Sequence, residues 1–207
     1  MPVTDTAAVA RPHRFAAWHR AVVVVVLGFA SGLPLALTGQ AMQAWLSMEG
    51  LDVATIGFLS LVGLPYTFKF LWAPLMDRFD LPWLGRRRGW LVLTQLALAL
   101  ALFVLAGVSP KGATQAFALM AVAVAFISAS QDVVIDAYRT DLLPGAERGI
   151  GSSLSVMGYR LAMILSGGIA LIWTDPQQGG AWDWPAVYRL MALLMVAAAV
   201  VSALALP

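Results

Sequence analysis

The sequence contains no cysteine, which excludes a disulfide scaffold, a thiolate metal centre and a cysteine nucleophile while leaving the redox compartment open. Histidine is nearly as scarce. His13 and His19 both lie in the polar amino-terminal stretch, so the apolar body holds neither a histidine metal site nor a histidine-based catalytic dyad. Charge is the third shortage: Asp, Glu, Lys and Arg make up 12% of the 207 residues, against about 25% in soluble domains. With 60% hydrophobic residues and a mean hydropathy of +0.81, a chain of 22.1 kDa cannot hide its apolar surface in one core. An ordinary soluble enzyme is ruled out.

Long apolar runs stand where charge is missing. Residues 21–48, 89–110, 112–131 and 190–207 carry no charged side chain, and each can cross a bilayer, which takes about 20 residues. Two more stretches, 53–76 and 149–174, are interrupted once each, by Lys69 and Arg160. The pattern predicts an all-α integral membrane protein: a disordered polar tail over 1–17, then a bundle over 18–207 with six transmembrane helices near 19–46, 53–76, 89–109, 113–138, 149–173 and 185–206. Arg20 followed by the apolar residues 22–29 resembles a secretory signal, but the apolar run continues through Leu37 and five more spans follow, which argues against cleavage.

Basic residues set the expected orientation. Arg11, Arg14 and Arg20, then Arg78, Arg86, Arg87 and Arg88, then Arg139 and Arg148 fall on one side of the spans. Lys111 and Arg189 fall on the other, with Glu49, Asp52, Asp175 and Asp183. The positive-inside rule places both ends of the segment in the cytoplasm. The net charge of +2 therefore reflects topology, and no nucleic-acid partner is expected. The eight tryptophans lie near span ends, where an indole can sit at headgroup level.

Two loop motifs carry a resemblance. Ala73-Pro-Leu-Met-Asp77-Arg78 followed by Gly85-Arg86-Arg87-Arg88 joins spans 2 and 3, and Asp141-Leu-Leu-Pro144-Gly-Ala-Glu147-Arg148-Gly149 joins spans 4 and 5. Both resemble the corresponding loops of the major facilitator superfamily, although Ala73 replaces the usual glycine and the first loop is longer. The resemblance implies a charge latch of Asp77, Arg78, Arg86, Arg87, Arg88, Glu147 and Arg148 at the cytoplasmic face. It also implies two inverted three-helix repeats forming one half of that fold. A faint internal repeat agrees, Ile56-Gly57 and Gly63 being echoed by Ile150-Gly151 and Gly158.

The run Gly28-Phe-Ala-Ser-Gly-Leu-Pro-Leu-Ala-Leu-Thr38, the block from Phe68 to Arg78, the segment Ser128-Ala-Ser-Gln131-Asp132-Val-Val-Ile-Asp136 and Gly158-Tyr-Arg160-Leu are similar to the AmpG muropeptide permeases. This resemblance implies import of anhydromuramyl peptides across the bacterial inner membrane by proton symport, with the proton as coupling ion and no other cofactor or metal. It also implies a facing wall from a carboxy-terminal half or a second copy. A major facilitator carrier of another anionic solute, such as acetyl-coenzyme A, is the alternative.

Lys69, Asp132, Asp136 and Arg160 lie at membrane depth. An unpaired charge there costs several kcal/mol, about 2.5–3.5 on insertion scales, so these groups should face the bundle interior or a watery cavity. Ser128, Asp132 and Asp136 follow at steps of four along one helix face. Two carboxylates one turn apart compete for charge. Asp132 and Asp136 are thus the expected proton-responsive pair, with Lys69 or Arg160 as counter-ion, although Asp136 could instead pair with Arg139.

Arg160 stands about ten residues, roughly 15 Å, into the fifth helix and near the midplane, which makes it the first choice for binding an anionic cargo. Lys69 is equally suited to that task. Gln131, Gln40, Gln43, Tyr66 and Tyr159 complete the substrate-binding candidates. Gly28, Gly32 and Pro34 predict a bend in the first helix. The rival class, an intramembrane hydrolase using Ser31, Ser153 or Ser166 with Lys69 as base, is disfavoured, since small residues at helix contacts account for the serines. The chain is not expected to be an enzyme.

Overall fold

The computed structural model describes residues 10–79, 85–178 and 180–205. Six segments are long and apolar enough to cross a membrane. The first is α1 (Ala10–Thr38) with α2 (Gln40–Met48), and the second is α3 (Val53–Leu59), α4 (Leu64–Phe68) and α5 (Ala73–Arg78). The third is α6 (Arg86–Leu105) and the fourth α7 (Thr114–Leu142). The fifth is α8 (Arg148–Met163) continued through a π-turn (Ile164–Ile169) into α9 (Ala170–Thr174), and the sixth is α10 (Trp184–Ala205). Of the polar tail expected over 1–17, residues 1–9 lie outside the described residues. The rest is helical, because α1 begins at Ala10.

The second span is not the continuous helix that its hydropathy suggests. A 3₁₀ turn over Ser60–Gly63 precedes Pro65, and another over Lys69–Leu71 precedes Pro74. Each proline lacks the N–H that would continue the α ladder and crowds the carbonyl four residues back, so the turn before it tightens. Lys69 therefore projects from an irregular turn rather than from a regular helix.

The first span also departs from expectation. α1 runs through Gly28, Gly32 and Pro34 and breaks at Gly39 (φ −107°, ψ −108°). Side chains occupy carbonyls along this stretch. Thr38 Oγ1 donates to Pro34 O at 3.0 Å, Tyr188 Oη to Leu37 O at 2.5 Å and Gln131 Nε2 to Ala30 O at 2.9 Å. The two glycines are also packing positions. α1 packs most extensively on α8; a Cβ at Gly28 would collide with Ser155 O, one at Gly32 with Tyr159 O, and one at Gly158 with Val25 O. Without a hydrophobic drive between helices in lipid, such close backbone approach holds spans together.

The turn from span 1 to span 2 is closed by local chemistry. Gly50 adopts φ 75°, the left-handed conformation that ends helices. Its N–H reaches Ser47 O at 3.0 Å while Leu51 N–H reaches Leu46 O at 3.1 Å. Asp52 then caps α3, accepting from Thr55 N at 2.9 Å and Thr55 Oγ1 at 2.6 Å. Those two bonds hold the Asp52 carboxyl below its ordinary range.

Interfaces recur in pairs. Exchanging spans 1, 2 and 3 with 4, 5 and 6 carries the α1–α8 contact onto that of α7 with the second span, and the α6–α7 contact onto α1–α10. The α6–α10 and α1–α7 contacts map onto themselves. Three is an odd number of crossings, so the second set enters from the opposite face and the repeat is inverted. This is one half of a major facilitator-like fold. The echoed glycines are not equivalent in packing, for Gly151 and Gly158 are crowded whereas Gly57 and Gly63 have nothing within 4 Å. The core centres on Trp45, edge-on to Phe117 at 5.2 Å and tilted against Tyr188 at 5.0 Å. Trp45 and Trp184 are buried core residues, not headgroup anchors, while Trp18 and Trp182 are exposed.

Candidate functional site

Three spans bring polar side chains together inside the apolar bundle. From α1, Ser31 Oγ donates to Asp132 Oδ1 of α7 at 2.5 Å. From the 3₁₀ turn of the second span, Lys69 Nζ stands 3.8 Å from Asp132 Oδ2. The Asp132 side chain is 14% exposed and that of Lys69 34%, so the carboxylate is enclosed and the ammonium opens toward one side. Tyr66, one turn before Lys69, packs against the core with no partner for its hydroxyl among the described residues, and Tyr159 lies on α8 where its backbone meets Gly32. Contributions thus come from spans 1, 2 and 4.

The expected aspartate pair is divided. Asp136 Oδ1 pairs with Arg139 at 3.2 Å and its side chain is 59% exposed, so it belongs to the arginine-rich end of the bundle. Lys69 is the counter-ion of Asp132. Arg160 is exposed and makes no hydrogen bond or ion pair among the described residues. Gln40 and Gln43 are exposed as well, Gln40 lying beside the π-turn near Gly167. Gln131 is fully buried and its amide is turned to the Ala30 carbonyl. Ser31 was missed as a site residue. Its presence in the Gly28 to Thr38 motif was visible, but a serine among glycines reads as helix packing until its partner is known.

Among the described residues no serine-lysine dyad is assembled. The Ser31 hydroxyl donates a hydrogen bond to Asp132, Lys69 faces the same carboxylate, and Ser153 and Ser166 donate back to Gly149 O and Ala162 O.

At the arginine-rich end, the latch separates into local contacts. Arg87 contacts Asp77 directly and reaches Asp141 Oδ2 with Nε at 3.1 Å, tying spans 2, 3 and 4. Arg20 forks onto Glu147 at 3.0 and 2.7 Å, tying span 1 to the approach of span 5. Arg88 bonds Ala203 O, and Arg148 Nε reaches Leu143 O at 3.4 Å. Arg78 is exposed without a partner among the described residues, and the Arg86 side chain lies outside them. Arg20 and Asp141 take part in these contacts, although the motif comparison did not single them out for that role.

Asp77 and Asp141 are 53% and 57% exposed, and exposed pairs contribute less than about 1 kcal/mol each. Arg87→Ala should therefore lower stability by no more than roughly 1–2 kcal/mol. The difference should shrink at high salt. Thermal melts in detergent at two ionic strengths check this, and a salt-independent loss would contradict it.

A family model described as acetyl-coenzyme A transporter 1 matches residues 20–118. The anhydromuropeptide permease of Escherichia coli strain K12 is 50% identical over 186 residues, covering 90% of this chain and 37% of that protein. A Rickettsia conorii protein named as transporter AmpG 4 is 29% identical over 185 residues, 88% of this chain and 44% of that one. The chain is an AmpG-type relative. It spans less than half the length of these relatives. The similarity to proteins named as permeases, together with six helices long and apolar enough to cross a membrane, marks it as a multi-pass membrane protein.

Proposed function

We propose that this chain forms one wall of a secondary active transporter that imports anhydromuramyl peptides across the bacterial inner membrane in symport with protons. The observation that carries the reading is the Ser31–Asp132–Lys69 cluster, an enclosed carboxylate shared by three spans in a protein half identical to a permease of that cargo. Asp132 takes up and releases the coupling proton. Lys69, 3.8 Å from the carboxylate, exchanges between it and the anionic groups of the cargo. Arg160, exposed and without a partner among the described residues, supplies a second positive contact. Gln40, Gln43, Tyr66 and Tyr159 offer hydrogen bonds and ring faces to the sugar.

The facing wall comes from a second six-helix half or another copy, and alternating access follows from rocking of the two. The arginine-rich end, with both ends of the segment, faces the cytoplasm. The cargo is moved without chemical change, and the proton is the only co-substrate.

The test is uptake by the full-length transporter in proteoliposomes under an imposed proton gradient, with labelled anhydromuramyl peptide and labelled acetyl-coenzyme A in parallel. Gradient-driven accumulation of the peptide alone is expected. Accumulation of acetyl-coenzyme A instead, or uptake indifferent to collapse of the gradient, would reject the reading.

A further inference from the structure

Pro34 has no N–H, so the Ala30 carbonyl loses the donor that a regular helix would supply from residue 34, and the pyrrolidine ring crowds the same oxygen. A carbonyl left alone inside an apolar bundle is costly. Gln131 of α7 meets this need: Nε2 donates to Ala30 O at 2.9 Å, the side chain is 0% exposed, and Oε1 has no hydrogen-bond partner. The amide is thus held by its donor end alone. The next residue on each helix makes the next contact, Ser31 Oγ to Asp132 Oδ1 at 2.5 Å. Ala30 and Ser31 on α1 meet Gln131 and Asp132 on α7 as two consecutive rungs.

We propose that Gln131 is a positioning residue that replaces the N–H missing at Pro34 and thereby keeps Ser31 seated on Asp132. A hydroxyl at 2.5 Å tolerates little rotation of α1, and the rung beside it sets that rotation. Full burial keeps Gln131 from the cargo, so this role takes the place of direct substrate binding. Besides Ser31, Asp132 is faced by Lys69 from the second span. Gln131 is the side chain that bonds Ala30 O. The role rests on the proton coupling proposed above.

Pro34→Ala makes the idea testable, because it restores an N–H for Ala30 O and so removes the need for Gln131. In proteoliposomes holding the full-length protein, Gln131→Leu should reduce gradient-driven accumulation of labelled anhydromuramyl peptide about tenfold, the scale of one buried carbonyl left unsatisfied. Exchange of cargo at equal concentrations should persist. Adding Pro34→Ala to Gln131→Leu should return accumulation to near the wild-type level. Normal accumulation by Gln131→Leu, parallel loss of exchange, or no recovery in the double variant would overturn the proposal.

Melting temperature in detergent supplies an arm that needs no cargo. The double variant should melt above Gln131→Leu, and an additive loss from the two changes would count against the clasp. Should the wild-type protein move no peptide, the transport reading fails while the melting cycle still decides whether Gln131 serves this carbonyl.

Discussion

Asp132→Asn is expected to abolish accumulation of cargo against its gradient while leaving exchange at equal concentrations in place. The asparagine keeps the size of the side chain and an oxygen for the Ser31 hydroxyl, but it has no proton to gain or lose and no charge to offer Lys69. Stability should fall by about 1–3 kcal/mol, less than for a fully buried broken pair, because the Lys69 side chain is 34% exposed. Replacing Lys69 by methionine in the same protein should recover part of that loss, since the stranded ammonium is then removed. Asp136→Asn provides the contrast. Its side chain is 59% exposed and paired with Arg139, so stability should change by less than about 1 kcal/mol and accumulation should continue. Undiminished uphill transport by Asp132→Asn, or a larger defect from Asp136→Asn, would remove Asp132 from the coupling step.

The second large effect is expected at the crossing of α1 and α8. Gly158→Leu would place a side chain where the Cβ alone already meets the Val25 carbonyl and the Phe29 amide nitrogen, both backbone atoms that no rotamer change can clear. The helices must separate, with a loss of at least the roughly 1–3 kcal/mol typical of overpacking. The α1–α7 contacts that hold Ser31 on Asp132 would move with α1. Recovery of monodisperse protein after detergent extraction, followed by its melting temperature, measures the effect. Gly57→Ala and Gly63→Ala are the controls, since nothing lies within 4 Å of a Cβ at either position, and both should extract as wild type. Equal behaviour of Gly158→Leu and these controls would mean that the α1–α8 approach is looser than described.

Span number and approximate ends were legible in the sequence, because a helix crossing lipid must satisfy its backbone internally and cover itself with apolar side chains over about 20 residues. The same logic marked Lys69, Asp132, Asp136 and Arg160 as exceptional. It could not sort them. Step-of-four spacing puts Asp132 and Asp136 on one helix face, yet that face runs from the enclosed middle of the bundle to its arginine-rich end, and only the neighbouring spans determine where one environment gives way to the other. Asp132 meets Ser31 and Lys69, whereas Asp136 meets Arg139.

Helix 1 teaches the same lesson through different atoms. Gly28, Gly32 and Pro34 all permit bending, and the sequence carries no sign that a glutamine nearly a hundred residues later answers the proline. Gly28 and Gly32 are contact surfaces for α8, and the helix breaks at Gly39. Tryptophan was ambiguous for a related reason. An indole near a span end can face headgroups or the core, and Trp45 is packed between Phe117 and Tyr188.

Composition and periodicity by themselves determined that this stretch carries six membrane-crossing segments with ionisable groups within them, because transfer of apolar and charged groups between water and lipid is a property of each residue and its immediate run. Pairing was decided only by tertiary structure. Which carboxylate is enclosed, which cation faces it, which glycines are crossing points and which side chain satisfies an orphaned carbonyl all depend on distances between spans, and hydrogen bonds and steric contacts act over a few ångströms that linear spacing does not encode.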